Sequence, residues 1–103
     1  MALSVGVPRE STPGEARVAL APDAVKRLVR KGCEVIVERG AGEPAFLSDG
    51  AFEAAGARLG TRADALGCEA VATVAGLGHA DLGAIREGAV VIGMLRPLDD
   101  PEP

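Results

Sequence analysis

The sequence predicts an α/β domain with a mostly parallel sheet, and three observations lead there. Short runs rich in Val, Ile and Ala alternate with segments of helical periodicity, the pattern of strand–helix–strand units with right-handed crossovers. Glycines follow the helical segments at Gly32, Gly56, Gly67 and Gly88, where a helix needs a stop. The runs Ala70–Val74 and Ala89–Leu95 show no polar alternation, as expected of strands covered on both faces. Together these predict a flavodoxin- or Rossmann-like three-layer arrangement.

The elements follow in order. Leu3–Val7 reads as the first strand. Residues 8–21 form a long connection, and loops of that length tend to be functional. Pro22 opens the first helix, where its missing N–H costs nothing, and Asp23 complements the helix dipole. Val25, Leu28 and Val29 form its apolar stripe, with Lys26, Arg27, Arg30 and Lys31 facing water. Gly32 closes the helix, and Cys33–Glu38 is the second strand. Gly40, Gly42 and Pro44 make a loop. Ser48 caps the second helix, with Leu47 and Phe52 as a hydrophobic staple. Gly56 ends that helix before a brief third strand, Ala57–Leu59. Thr61 and Asp64 form a capping box for a helix of about one turn, stopped by Gly67. Ala70–Val74 is the fourth strand. Asp81 starts a short helix through Ile85, and Ala89–Leu95 is a buried fifth strand. The tail from Asp99 to Pro103 leaves as a loop. Two substantial helices cover five strands thinly, which suggests an incomplete domain or an oligomer.

Composition narrows the function. At 103 residues the chain is a single domain, 1–103. Hydrophobic residues reach 48 %, so the chain is globular. Phe46 and Phe52 are its two aromatics, too few for stacking bases. A net charge of −4 provides no basic face for phosphates, so no nucleic-acid partner is expected. No apolar run approaches the roughly 18–20 residues of a membrane span, so no direct membrane insertion is expected. Cys33 and Cys68 form no metal pattern and read as reduced, mostly buried thiols of a cytosolic protein.

Few motifs carry chemistry. Gly76-x-Gly78-x-x-Asp81 lacks the third glycine of a dinucleotide fingerprint and follows the wrong strand, so it reads as a turn. No acidic residue reads as placed for a ribose. His79, the single histidine, lies in that turn without a visible partner and reads as a surface residue. Glu10, Glu15 and Arg17 are better placed. They follow the first strand, and ligand crevices of open α/β sheets lie at strand C-termini. Arg17 could hold a carboxylate or phosphate through its planar fork, or it could order the loop by pairing with Glu10 or Glu15. Arg96, after the fifth strand, points to the same rim if the sheet is parallel. Arg17 is therefore expected near Glu10 and within reach of the Arg96 loop.

Several spaced blocks carry a family likeness. Gly6-Val7-Pro8-Arg9-Glu10, Glu15-x-Arg17-Val18-Ala19-x-x-Pro22, Gly32-x-x-Val35, Glu38-x-Gly40-Ala41-Gly42, Phe52-x-x-Ala55-Gly56-Ala57 and Arg96-Pro97-x-x-x-Pro101-Glu102 span nearly the whole chain. They resemble the opening of alanine dehydrogenases and of the alpha subunit of proton-translocating NAD(P) transhydrogenase. Alanine dehydrogenases carry a pyruvate-binding lysine and a catalytic histidine where Ala75 and Arg96 stand here, while the matching arginine, Arg17, is kept. The Arg96-Pro97 stretch resembles the transhydrogenase more closely. Thr73 and Ala21 depart from it, since a lysine and a threonine are common there.

The resemblance implies the N-terminal part of a two-domain subunit whose NAD-binding domain comes later in sequence, after which the chain returns to complete the first domain. It implies hydride transfer between NAD(H) and NADP(H) coupled to proton translocation. It also implies a homodimer, membrane and NADP-binding partner subunits, and a cytoplasmic place peripheral to the membrane. On that reading Glu10, Arg17 and Arg96 line one cleft wall, and the piece holds no catalytic, cofactor-binding or metal residue of its own. The isolated chain is expected to bind NAD(H) no tighter than about 10 µM, or about −7 kcal/mol. The alternatives are a stand-alone α/β binding or interaction module, or an alanine dehydrogenase-like domain lacking its lysine and histidine.

Overall fold

A computed structural model describes residues 3–10, 18–74 and 83–93. Among these, five strands and three α-helices run in the order β1 (Ser4–Val7), α1 (Pro22–Arg30), β2 (Glu34–Glu38), α2 (Asp49–Ala54), β3 (Arg58–Gly60), α3 (Arg62–Leu66), β4 (Ala70–Thr73) and β5 (Val90–Gly93). Every strand pair is parallel. The spatial order is β3-β2-β1-β4-β5, which is the Rossmann order rather than the flavodoxin order. The chain first winds outward from β1 to β3, then crosses back to place β4 on the other side of β1. The switch point therefore lies between β1 and β4.

The alternation of side chains along β1 sets the layers. Val5 and Val7 join Val25, Val35, Val37 and Phe52 in a buried cluster, beneath α1 and α2. Phe52 is fully buried, and Leu47 packs against the same cluster, as the staple predicts. Gly56, at φ 104°, ends α2 so close to Val29 of α1 that a Cβ there would lie 3.0 Å from Val29 Cγ1. Gly6 points the opposite way and lies under α3, where a Cβ would collide with the Ala65 carbonyl. A glycine is required at this position because backbone crosses backbone.

The helix signals act as the sequence indicates. Pro22 opens α1 behind Ala21, which makes no side-chain cap bond. The Ser48 hydroxyl accepts from Ala51 N at 3.1 Å. Thr61 and Asp64 form both bonds of the capping box. Gly32 takes φ 95° after α1. In the loop after β2, Glu43–Ala45 forms a 3-10 turn that ends on Phe46 at φ 63°. That ring is 97 % exposed.

Three expectations need correction. Gly83, Ala84 and Ile85 form turns, not helix, because Gly83 so close behind the expected cap disfavours helix. Asp81 lies outside the described residues. β1, β2, β3 and β5 each begin one residue later than expected, at Ser4, Glu34, Arg58 and Val90, and β4 ends one residue earlier, at Thr73. β5 is not buried: Val90, Val91 and Ile92 are 57 %, 46 % and 43 % exposed. It is an edge strand beside β4, and no described helix covers it. β4 is buried along its full length, as expected.

Candidate functional site

The crevice of an open parallel sheet forms beyond the strand C-termini at the switch point, here above β1 and β4. Pro8, Arg9 and Glu10 leave β1 at this rim. The Glu10 carboxylate bridges the switch point, accepting from Val74 N just past β4 at 2.9 Å. Of the residues singled out from sequence, Glu10 is thus at the rim. Glu15, Arg17, Ala75, His79 and Arg96 lie outside the described residues, as does the Gly76–Asp81 turn.

Three further charged residues gather around Arg9. Glu38 ends β2, and its Oε1 accepts from Arg9 N at 2.7 Å. Arg62 opens α3, just past β3, and its Nη1 donates to the same Glu38 oxygen at 2.9 Å and to the Arg9 carbonyl at 2.6 Å. Both main-chain groups of Arg9 are therefore held, one by a carboxylate and one by a guanidinium. The Arg62–Glu38 pair is 29 % and 18 % exposed, so it is shielded more than Arg58–Glu34 at the opposite end of β2, which is 70 % and 46 % exposed. Pairs as exposed as the latter contribute little. The Arg9 guanidinium itself stands 3.7 Å from Glu43, and Asp49 accepts from Gly40 N at 2.9 Å.

Sequence reasoning passed over Glu38, Arg62 and Arg9 as site residues. The signal was available, because the rule that singled out Glu10 and Arg96, a charge at a strand's C-terminal rim, extends to Glu38 at the end of β2 and Arg62 after β3. Glu38 ends β2, where its carboxylate is bound to Arg9 and Arg62.

The described residues of this rim do not fit a pyrophosphate. The β1–β4 switch point presents the Glu10 carboxylate, which repels an anion and already takes the Val74 N–H. No step through a nicotinamide nucleotide is therefore assigned to the described residues. Nor do they gather three or more His, Cys, Asp or Glu as a metal site. Both thiols are free. Burial pushes the Cys68 thiol up from its ordinary value, which keeps it protonated and poorly nucleophilic. A shallow depression of about 350 Å³ is lined by Glu43, Phe46, Leu47, Ser48 and Asp49, apart from the Glu10 crevice. Among the described residues, no helix is long and apolar enough to cross a membrane.

Comparison with known proteins places this arrangement. The model of the family described as "Alanine dehydrogenase/PNT, N-terminal domain" matches residues 6–103. An NAD(P) transhydrogenase alpha-subunit polypeptide of Rhodospirillum rubrum is 42 % identical over 103 residues, covering 93 % of this chain and 27 % of that protein. Alanine dehydrogenase of Mycobacterium tuberculosis is 37 % identical over 95 residues, covering 90 % of this chain and 26 % of that protein. The crystal structure of transhydrogenase from Sinorhizobium meliloti superposes with a TM-score of 0.84 at 40 % identity, covering 87 % of this chain and 27 % of that one. The chain thus spans about a quarter of the length of these relatives. With the family match running from β1 through the last residue, the chain belongs to the alanine dehydrogenase/PNT N-terminal domain family.

Proposed function

We propose that this chain is the N-terminal part of the NAD(H)-binding alpha subunit of an NAD(P) transhydrogenase, which transfers hydride between NAD(H) and NADP(H) coupled to proton translocation. The observation that carries the reading is a combination. The chain matches a transhydrogenase alpha subunit over 93 % of its length, while Ala75 and Arg96 stand where alanine dehydrogenases place their lysine and histidine. In this role the domain forms one wall of a cleft, with Glu10, Arg17 and Arg96 facing it. NAD is bound by parts of the parent outside this chain. The parent acts as a homodimer, peripheral to the membrane on the cytoplasmic side, beside membrane and NADP-binding subunits. Further parts of the parent cover the exposed apolar residues of β5.

Two assays on the intact protein separate this reading from its alternatives. Hydride transfer between NADH and an NADP⁺ analogue is expected in membranes carrying the complete enzyme. Alanine-dependent reduction of NAD⁺ is expected to be absent. Alanine oxidation at an ordinary enzymatic rate would overturn the reading in favour of a dehydrogenase. Absence of both activities, in a protein without any downstream nucleotide-binding domain, would favour a stand-alone binding module.

A further inference from the structure

We propose that Arg62 is a positioning residue for the crevice: with Glu38 it fixes the Arg9 peptide and thereby sets the Glu10 carboxylate against the exit of β4. The inference rests on the reading of this rim as a cleft wall. Its physical basis is a closed cycle of hydrogen bonds around one residue. Glu38 Oε1 accepts from both Arg9 N and Arg62 Nη1, and the same Arg62 nitrogen donates to the Arg9 carbonyl. With its N–H and its C=O both held, Arg9 has little freedom to rotate, and the next residue is Glu10, whose side chain spans to Val74.

Three elements converge on this turn: the end of β2, the first residue of α3 and the exit of β4. Each bond in the cycle involves a charged group, and such bonds are roughly twice as strong as neutral ones. The shielding of the Arg62–Glu38 pair keeps them from being screened as a surface pair would be. Arg58, four residues earlier, makes the comparison internal. It too pairs with a glutamate of β2 at 2.9 Å, but on the exposed N-terminal side.

The test uses the intact protein with Arg62→Met, Arg62→Lys, Glu10→Gln and the Arg62→Met/Glu10→Gln double variant. Amide hydrogen exchange is followed by mass spectrometry, together with kcat and KM for NADH-to-NADP⁺ hydride transfer. Arg62→Met is expected to speed exchange about tenfold or more in peptides containing Arg9 and Val74, while peptides within α1 and α2 stay within about twofold. Turnover should fall several-fold with KM for NADH nearly unchanged. Arg62→Lys should recover part of both effects, since an ammonium retains the charge but lacks the planar fork. The double variant should turn over no more slowly than Glu10→Gln alone, because Arg62 acts only through that carboxylate. Unchanged exchange at Val74 in Arg62→Met overturns the proposal, and so does faster exchange with unchanged turnover. If no variant, nor the parent, transfers hydride, the functional reading fails; the exchange data then still decide whether Arg62 holds the turn.

Discussion

The seam between β1 and β4 is closed at both ends by a glutamate on a neighbouring backbone, yet the two ends are built differently. At the N-terminal end the Glu69 carboxylate accepts from Ser4 N at 2.9 Å and from Ser4 Oγ at 3.3 Å. Ser4 Oγ in turn accepts from Glu69 N at 2.9 Å. Those two residues engage each other reciprocally. At the C-terminal end Glu10 also takes a backbone N–H, but the turn carrying it is held from β2 and α3. A local pair is enough to stop two strands from fraying. A network drawing on several elements fixes the direction of a side chain, and it stands on the rim where this class of sheet places its chemistry.

The strongest way to break the comparison is to disturb what both ends share. Gly6 sits between them under α3. Gly6→Ala is expected to lower stability by about 3 kcal/mol, because the Ala65 carbonyl cannot yield without lifting the helix that carries Arg62. Urea unfolding of the intact protein measures this, and an unchanged midpoint would mean that α3 is not held against β1. The N-terminal end alone is probed by Ser4→Ala, which leaves Glu69 N without its acceptor. A loss of about 1–2 kcal/mol is expected with turnover unchanged. A fall in turnover would erase the distinction between the two ends.

A smaller effect concerns the cap of α3. The Asp64 carboxyl is held below its ordinary value, first by the Thr61 backbone N–H and then by the Thr61 hydroxyl. A lowered folded pKa means that the cap's contribution is present above the unfolded value, about 3.9, and is lost as pH falls through the folded one. Hydrogen exchange of the α3 amides is therefore expected to show loosening below about pH 4, and Asp64→Asn should remove most of that pH dependence. An identical pH profile in the variant would separate the cap from the acid response.

What the sequence made legible follows from how local each signal is. The strands, the capping box, the staple and the glycine stops at Gly32, Gly56 and Gly67 depend on neighbours within a few residues, and they are readable; Gly88 follows no helix among the described residues. Glu10 was readable because the end of a first strand is a defined place. The Arg9–Glu38–Arg62 cycle was not, since it joins residues up to 53 positions apart and depends on β2 and β3 ending at the same rim in register. The exposure of β5 was missed for a related reason. An apolar run records that a strand will be covered, not which segment covers it. The need for Gly6 is likewise set by a distant segment, since it is the Ala65 carbonyl of α3 that a Cβ there would meet.

The position of β1 in the middle of the sheet has a consequence in time. It leaves the ribosome before the other four strands, and β2 gives it a partner on one edge soon afterwards. Its other edge waits for β4, with Ser4 and Glu69 lying 65 positions apart. At roughly 5–20 residues per second, that wait lasts about 3–13 seconds. Throughout it the growing chain carries a half-built sheet whose central strand is open to any passing strand. Beside the main-chain ladder that later closes this edge, the Ser4 hydroxyl and the Glu10 carboxylate at its two ends are polar groups that water can satisfy in the meantime.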